Sequence, residues 1–374
     1  MSDYAHSMLK FARLTDPVES SDVITVEEAA ELSGLSQQTI RRRCLSGEIK
    51  ANKVGKQWLI HATEFESGTP RRKRSASTPS PTSFDHSQAI NHIRRTDSSE
   101  LWVPDVLRLQ DRFADNSSAT TEAQRRIEQG TFGPATRILV PKTIYSNRPG
   151  TNLDLADRIA YQSTVASFAN LLDDRLPENV YSSRLSSDPK YFLAHSPTAY
   201  KRFKKAIPEH IEEDPRLEWI GSTDVTAYFD NILYSVLFEE LSHAGVAGDT
   251  LKSLRIMLSG WSSVKGLGLP QGPNVSRLLG NFYLAPVDEE MTDDPSITYL
   301  RYMDDVRILA HSKVEAVAGL RKFEQLCRSR GLTLSSAKTF VESIATYNRL
   351  DEDGHLDRVA SLFDRNAITK SRPG

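Results

Sequence analysis

The chain reads as a mixed α/β domain preceded by a small, separate helix-turn-helix module, and three observations predict this. A strand-like run, EWIGSTDV, ends at Asp224, and two further short apolar runs bend at Met303-Asp304-Asp305 in YLRYMDDVRIL. Between them GLGLPQGPNVSRLLGNFYLAPVD opens as a Gly/Pro-rich loop around Gln271-Gly272 and continues from Ser276 as a helix. Near the N-terminus, residues 22–66 carry capping and breaking signals in the order helix, turn, helix, wing.

Composition bounds the rest. At 374 residues the chain exceeds the usual single domain, and 39% apolar with 26% charged residues is an ordinary globular balance, so two domains are expected. The net charge of −2 excludes a protein that coats nucleic acid non-specifically; affinity for phosphates has to come from local segregation of charge. Cys44 and Cys327 stand in unrelated contexts, which argues against a disulfide framework and a structural zinc. No apolar run approaches the ~20 residues of a membrane helix, and the start MSDYAHSMLK lacks the apolar core of a secretory signal. A cytoplasmic protein with no membrane association is expected.

In the N-terminal module, after a tail of residues 1–21, Thr25 and Glu28 make a capping box that opens a short helix, and Gly34 breaks it. Ser36 caps a second helix carrying Gln37, Gln38, Arg41, Arg42 and Arg43, Gly47 ends it, and KANKVGKQWLI alternates like a hairpin around Gly55-Lys56. Between Arg41 and Lys56 stand six basic residues and one acid, Glu48. The stretch VEEAAELSGLSQQTIRRRCLSGEIKANKVGKQWLI resembles the winged helix-turn-helix of excisionase and MerR-type proteins. That resemblance implies duplex-DNA binding, with Gln37, Gln38 and Arg41 near base edges and Arg42, Lys53 and Lys56 toward phosphates. Docking on a protein partner is the alternative. Residues 67–100, rich in Ser, Thr, Pro and Arg and including Arg71-Arg72-Lys73-Arg74, are expected to be a disordered basic linker, because they bury too little apolar surface to offset ordering entropy.

Adjacent aspartates at a hairpin tip repel unless cations sit between them, and a strand-end aspartate beside them completes a set of hard oxygen ligands suited to magnesium. Two such ions, ~4 Å apart, activate a hydroxyl and stabilise a leaving pyrophosphate. The order D-x-x-x-[YF]-F at Asp224, PQG-x-x-x-S-x-x-L-x-N-x-Y from Pro270, then YMDD resembles motifs A, B and C of reverse transcriptases. Upstream, RILVPKTIYSNRPG and DLADRIAYQSTV look like the fingers of the group II intron, retron and antiphage branch of the bacterial enzymes, and GLTLSSAKTF looks like motif D.

The resemblance implies a right-hand polymerase palm with fingers over residues 101–345 and RNA-directed DNA synthesis from deoxynucleoside triphosphates. Asp224 and Asp304 would bind two Mg2+ ions, with Mn2+ as a substitute, and Asp305 would assist. Phe229 falls where an aromatic ring blocks a ribose 2′-hydroxyl, while Tyr228 reads as core and Asp230 is assigned no metal. Gln271 and Gly272 would shape the pocket of the nascent base pair, Lys142 and Arg148 would clamp the triphosphate, and Lys338 would donate a proton to pyrophosphate.

After Phe340 only 34 residues remain, and the polar segment 346–374 shows no full thumb. A structured non-coding RNA, a protein partner or further copies of the chain are therefore expected to complete the grip on template and primer. Three other functions share these features: an RNA-dependent RNA polymerase, a protein-primed or untemplated DNA polymerase of the antiphage branch, and a DNA-binding regulator with a degenerate palm. The aromatic at Phe229 and the methionine of YMDD favour a DNA product, and the intact aspartates argue against degeneracy.

Overall fold

Alternating apolar residues build the small sheet of the N-terminal segment. In the computed structural model, which describes residues 23–26, 29–30, 40–41, 44, 49–54, 57–61, 84–96, 111, 113, 116–143 and 145–352, strands β1 (Val23–Ile24), β2 (Ala51–Val54) and β3 (Gln57–His61) pair antiparallel in the order β1-β3-β2. The Val54↔Gln57 pairing leaves a two-residue connection at the expected Gly55-Lys56 position, and Val26, Ala29, Ile40, Cys44, Ile49 and Ile60 bury themselves together. Arg41 is helical and half-buried. Lys53 lies on β2 opposite Trp58. Gln37, Gln38, Arg42 and Lys56 lie outside the described residues, as does the basic run of residues 71–74. The chain divides into two units, Met1–Thr78 and Pro79–Gly374.

The expected linker is corrected at its C-terminal end. Residues 86–95 are not a tether but helix α1 (His86–Arg95), capped by Asp85, whose carboxylate accepts from the Gln88 N–H at 2.8 Å. Ala89, Ile90 and Ile93 are buried in the main core. They recur at helical spacing, and one turn of apolar contacts outweighs a Ser/Pro-rich average taken over a long window.

Beyond α1 come α2 (Asn116–Gln129), the hairpin β4 (Thr136–Thr143) and β5 (Ser146–Asn152), α3 (Leu155–Ala166) and α4 (Ala169–Asp173). Asp154 caps α3, and Arg126 of α2 bridges Asp154 at 2.7 Å and the buried Asp157 at 2.6 Å. Asp157 also accepts from the Gly133 N–H, which fixes the entry to the hairpin against α3.

The remaining elements are α5 (Ser196–Glu213), β6 (Trp219–Asp224), α6 (Tyr234–His243), α7 (Gly248–Trp261), α8 (Asn274–Tyr283), α9 (Ala285–Thr292), β7 (Thr298–Tyr302), β8 (Asp305–Ala310), α10 (Lys313–Ser329), β9 (Phe340–Ser343) and α11 (Ile344–Glu352). Ser312 and Glu315, three residues apart in the sequence, form a capping box that opens α10, and the helix ends just before Gly331. Strands β7-β8-β6-β9 form one antiparallel sheet.

Alternation along these strands sorts the side chains onto two faces. Tyr299, Val306 and Ile308 join the main core, on the side where Gly221 meets Leu320 of α10. Ile220, Leu300 and Leu309 form a second cluster with Phe203, Ala206 and Ile207 of α5 and Ile344 and Tyr347 of α11. Asp224 follows Ile220 by four residues and Asp305 precedes Leu309 by four. Both carboxylates therefore belong to the α5 face of the sheet, at one end of it. Among the described residues no helix is long and apolar enough to cross a membrane.

Candidate active site

Register places the aspartates. The antiparallel pairing of β6 with β8 sets Asp224 opposite Asp305, and the two-residue connection between β7 and β8 is Met303-Asp304. The Val225 N–H donates to the Asp304 carbonyl at 3.1 Å, so the strand end and the turn are locked together. Met303 adopts φ +57°, as do Ala227 (+47°) and Ser183 (+50°) in neighbouring segments. Left-handed non-glycine residues cost on the order of 1 kcal/mol each and persist only where surrounding contacts hold them.

At Met303 those contacts are explicit. Its N–H donates to the buried Ser182 hydroxyl at 2.7 Å, and its carbonyl accepts from Arg301 Nη1 at 2.7 Å. Arg301 is fully buried and is itself held by Asp288 through Nε at 2.6 Å and by the Asn281 side chain at 2.9 Å. Burial works against its charge, but the Asp288 carboxylate more than offsets this and keeps the guanidinium protonated. A buried ion pair on the core side thus fixes the turn that presents Asp304.

The electrostatics are those of a site short of positive charge. Burial, followed by the charges of Asp224 and Asp305, pushes Asp304 from the usual 3.8 up to about 7. Asp305 is raised mainly by burial, opposed by Arg307, whose Nη1 lies 3.8 Å away. Lys338 reaches in from the segment before β9, with Nζ 3.1 Å from Asp224 Oδ2. Among the described residues no three His, Cys, Asp or Glu side chains stand as a closed metal cage, and Asp224 and Asp305 each face a cationic side chain instead. Hard carboxylate oxygens crowded until one resists ionisation are the donor set a divalent cation relieves, so the residues fit the group.

The second half of the site grows from the loop after Asp224. Tyr228 is buried, with its hydroxyl donating to the Gly280 carbonyl, and Phe229 is half-exposed beside it. A Cβ at Gly280 would stand 3.1 Å from Phe229 Cε1, so the absence of a side chain on α8 is what seats the ring. Gln271 donates to Asp230 Oδ1 at 2.8 Å through its side-chain Nε2 and accepts from the Thr151 N–H of β5 at 2.7 Å through its main-chain carbonyl. Gly272 has φ +136°, a conformation open to glycine and to little else.

Asp224, Asp304, Asp305 and Lys338 are therefore brought together, and Phe229, Gln271 and Gly272 are joined through Asp230. Lys142 and Arg148 are exposed on the β4–β5 hairpin and are not among the charges that shift the aspartates.

Residues 166–353 match the reverse transcriptase (RNA-dependent DNA polymerase) family, half of the chain. The chain belongs to that family. Residues 23–67 also match a helix-turn-helix family. Similar solved structures include apo telomerase from Candida tropicalis truncated from its C-terminal domain, 12% identical with TM-score 0.41, covering 57% of this chain and 50% of that one. Another is telomerase from Candida albicans in complex with a TWJ fragment of telomeric RNA, 12% identical with TM-score 0.42, covering 57% of this chain and 43% of that one. The chain spans half or less of the length of these two structures. No curated protein matches it. The four-stranded antiparallel sheet with the aspartates at one end lies within the matched residues and is the palm, and the β4–β5 hairpin precedes them in the chain.

Sequence reasoning missed Ser182, Asp288 and Arg301, and gave no role to Asn281, the asparagine of the PQG-x-x-x-S-x-x-L-x-N-x-Y pattern. A signal existed for Arg301: an arginine inside the apolar run YLRYM falls, by alternation, on the face opposite Leu300 and Tyr302, and a charge on a core face needs a buried partner.

Proposed function

We propose that the protein is an active RNA-directed DNA polymerase that joins deoxynucleoside triphosphates onto a primer. The observation that carries the reading is the register of Asp224 against Asp305 with Asp304 in the adjoining left-handed turn. Asp224 and Asp304 would hold the metals and Asp305 would assist. When bound, a pair of magnesium ions supplies charge stabilisation for the phosphoryl transfer and lowers the pKa of the primer hydroxyl. Lys338, paired with Asp224 at 3.1 Å, holds a proton at Nζ within the site and is the group to pass it to the departing pyrophosphate. Gln271 and Gly272 shape the base-pair pocket, and Lys142 and Arg148, on the exposed hairpin, meet the triphosphate as it enters. Extension of a DNA primer on an RNA template with deoxynucleotides and magnesium is the direct test. No incorporation under any divalent cation would overturn the reading.

Phe229 is proposed to exclude ribonucleotides, its ring filling the space a 2′-hydroxyl would take. Phe229→Ala is expected to raise kcat/KM for ribonucleotides at least about tenfold relative to deoxynucleotides, the scale of one lost steric discrimination. Incorporation of single nucleotides of each sugar type measures this, and an unchanged ratio would reduce Phe229 to packing against Gly280.

The N-terminal module is proposed to bind duplex DNA. Arg41→Ala together with Arg42→Ala is expected to weaken binding of short duplex DNA and to flatten its salt dependence by about 0.9 for each phosphate no longer neutralised. Fluorescence anisotropy across a salt series gives both quantities. A module that binds no DNA at low salt would leave a protein partner as its ligand. The resemblance of the fingers supports a finer setting, a retron-like or antiphage system in which the enzyme copies a structured RNA that associates with it. Sequencing RNA that copurifies with the protein tests that setting.

A further inference from the structure

Helix α5 has a charge order that helix stability does not explain. Its buried residues Ala199, Phe203, Ala206 and Ile207 define one face, and on the opposite side stand Lys201, Arg202, Lys204 and Lys205, followed one turn later by Glu209, Glu212 and Glu213. Cations thus crowd the N-terminal half and acids the C-terminal half, the reverse of what the helix dipole favours. Lys205 pairs with Glu209 at 2.6 Å, but among the described residues neither Lys201 nor Arg202 has a carboxylate within ion-pairing distance, and both are exposed.

The orientation of α5 gives this order a meaning. The helix lies on the sheet face that carries Asp224 and Asp305. Its start is tied to the catalytic end: the Tyr302 hydroxyl donates to the Ser196 carbonyl at 3.2 Å, Arg277 of α8 donates to the Ser196 hydroxyl at 2.8 Å, and the Tyr200 ring packs edge-on against Tyr302 at 5.2 Å. Tyr302 is itself paired with Asp305. Its end is at the opposite side of the sheet, where Asp214, just past the helix, meets His311 beyond β8 at 2.9 Å. Lys201 and Arg202 therefore stand on the solvent side of the helix that covers the carboxylate-bearing face, about 8 Å along the helix from Ser196, and the acids lie about a further 15 Å away.

We infer that the N-terminal half of α5 is a phosphate-binding rail for the primer–template duplex, with Lys201 and Arg202 contacting backbone phosphates beside the catalytic aspartates. The inference rests on the polymerase reading and adds the partner and the surface that meets it. The acidic half repels phosphate and limits the contact to the end where the primer terminus must sit. In a chain of net charge −2, such local segregation is how a nucleic-acid backbone is held.

The test uses the full chain carrying Arg41→Ala and Arg42→Ala, so that the helix-turn-helix does not mask the effect, and a fluorescent DNA primer annealed to an RNA template without nucleotides. Adding Lys201→Ala and Arg202→Ala is expected to lower the slope of log affinity against log salt by about 2 and to weaken binding about 10- to 100-fold at 0.1 M salt. In primer extension the loss is expected in KM for the duplex rather than in kcat. Lys201→Arg should restore the slope contributed by Lys201, which a general loss of folding would not allow, and Glu212→Gln with Glu213→Gln should leave the slope as it was. An unchanged slope and KM in the Lys201/Arg202 variant would overturn the rail. If the parent chain binds the duplex with the expected slope difference but never extends the primer, the polymerase reading falls and the surface stands; extension with no slope difference gives the converse.

Discussion

Asp304→Asn is expected to abolish nucleotide incorporation, by roughly 10³-fold or more, the scale on which charge stabilisation acts in phosphoryl transfer. The same change should make the metal-free protein more stable. Asp304 is raised to about 7 by burial and by Asp224 and Asp305, so the folded state retains a proton that the unfolded chain releases near 3.8. The folded state thus binds more protons between those values, and stability falls as pH rises from about 4 to about 7 and stays at its lowest above that. Asparagine carries no such penalty. In chelator at pH 8, the Asp304→Asn protein should melt at a higher temperature than the parent; magnesium should raise the melting temperature of the parent and have much less effect on the variant. Incorporation at near-parental rate would remove Asp304 from the catalytic set. A lower melting temperature in chelator would mean that the carboxylate is not electrostatically crowded.

Arg301→Met is expected to destabilise the protein by about 3–5 kcal/mol, the cost of leaving a buried charge without its partner. Asp288 and Arg301 are both fully buried, and the guanidinium also serves the Asn281 side chain and the Met303 carbonyl. Urea denaturation, read as a shift in midpoint at constant slope, measures the loss. Arg301→Lys should not rescue it, because one ammonium cannot reproduce the fork that meets Asp288 and Met303 together. Arg301→Met combined with Asp288→Leu should recover much of the stability, since two apolar groups leave no buried charge behind. That double variant should still polymerise poorly, because the Met303 turn has lost one of its two holds. Full activity in the stable double variant would show that Ser182 alone positions the turn.

The parts of this protein that were legible in the sequence are those where local chemistry and chain order coincide. The strand ending at Asp224, the turn at Met303-Asp304, the helix after the Gln271-Gly272 loop and the Ser312/Glu315 capping box each announce themselves within ten residues or so. The exact start of a helix is less legible: α8 begins at Asn274, two residues before Ser276. What stayed hidden depends on contacts far apart in the chain. Ser182 meets Met303 across 121 positions and Asn281 meets Ser182 across 99, and no periodicity reports such pairs. Helix α1 was obscured for a different reason, since its few apolar residues sit beside a long Ser/Pro-rich stretch whose composition dominates any window average. The charge order of α5 was written in the sequence, but it acquires direction only once Ser196 is seen bonded to Tyr302.

Gln271 acts as a fulcrum. Its main-chain carbonyl is fastened to Thr151 at the base of the β4–β5 hairpin and its side-chain amide to Asp230, one residue beyond Phe229, so a single residue links the hairpin to the loop after β6. The exposed side chains of the hairpin, Leu139 and Tyr145 among them, lie on the long arm of this lever, and the Phe229 ring lies on the short one. A tilt of the hairpin would pull on the Gln271 peptide and, through Asp230, on the backbone that carries the ring. If the pocket and the ring act as proposed, inspection of the base pair and of the sugar would be one mechanical event, and a variant that cuts the lever, such as Gln271→Leu, would let the two proceed out of step.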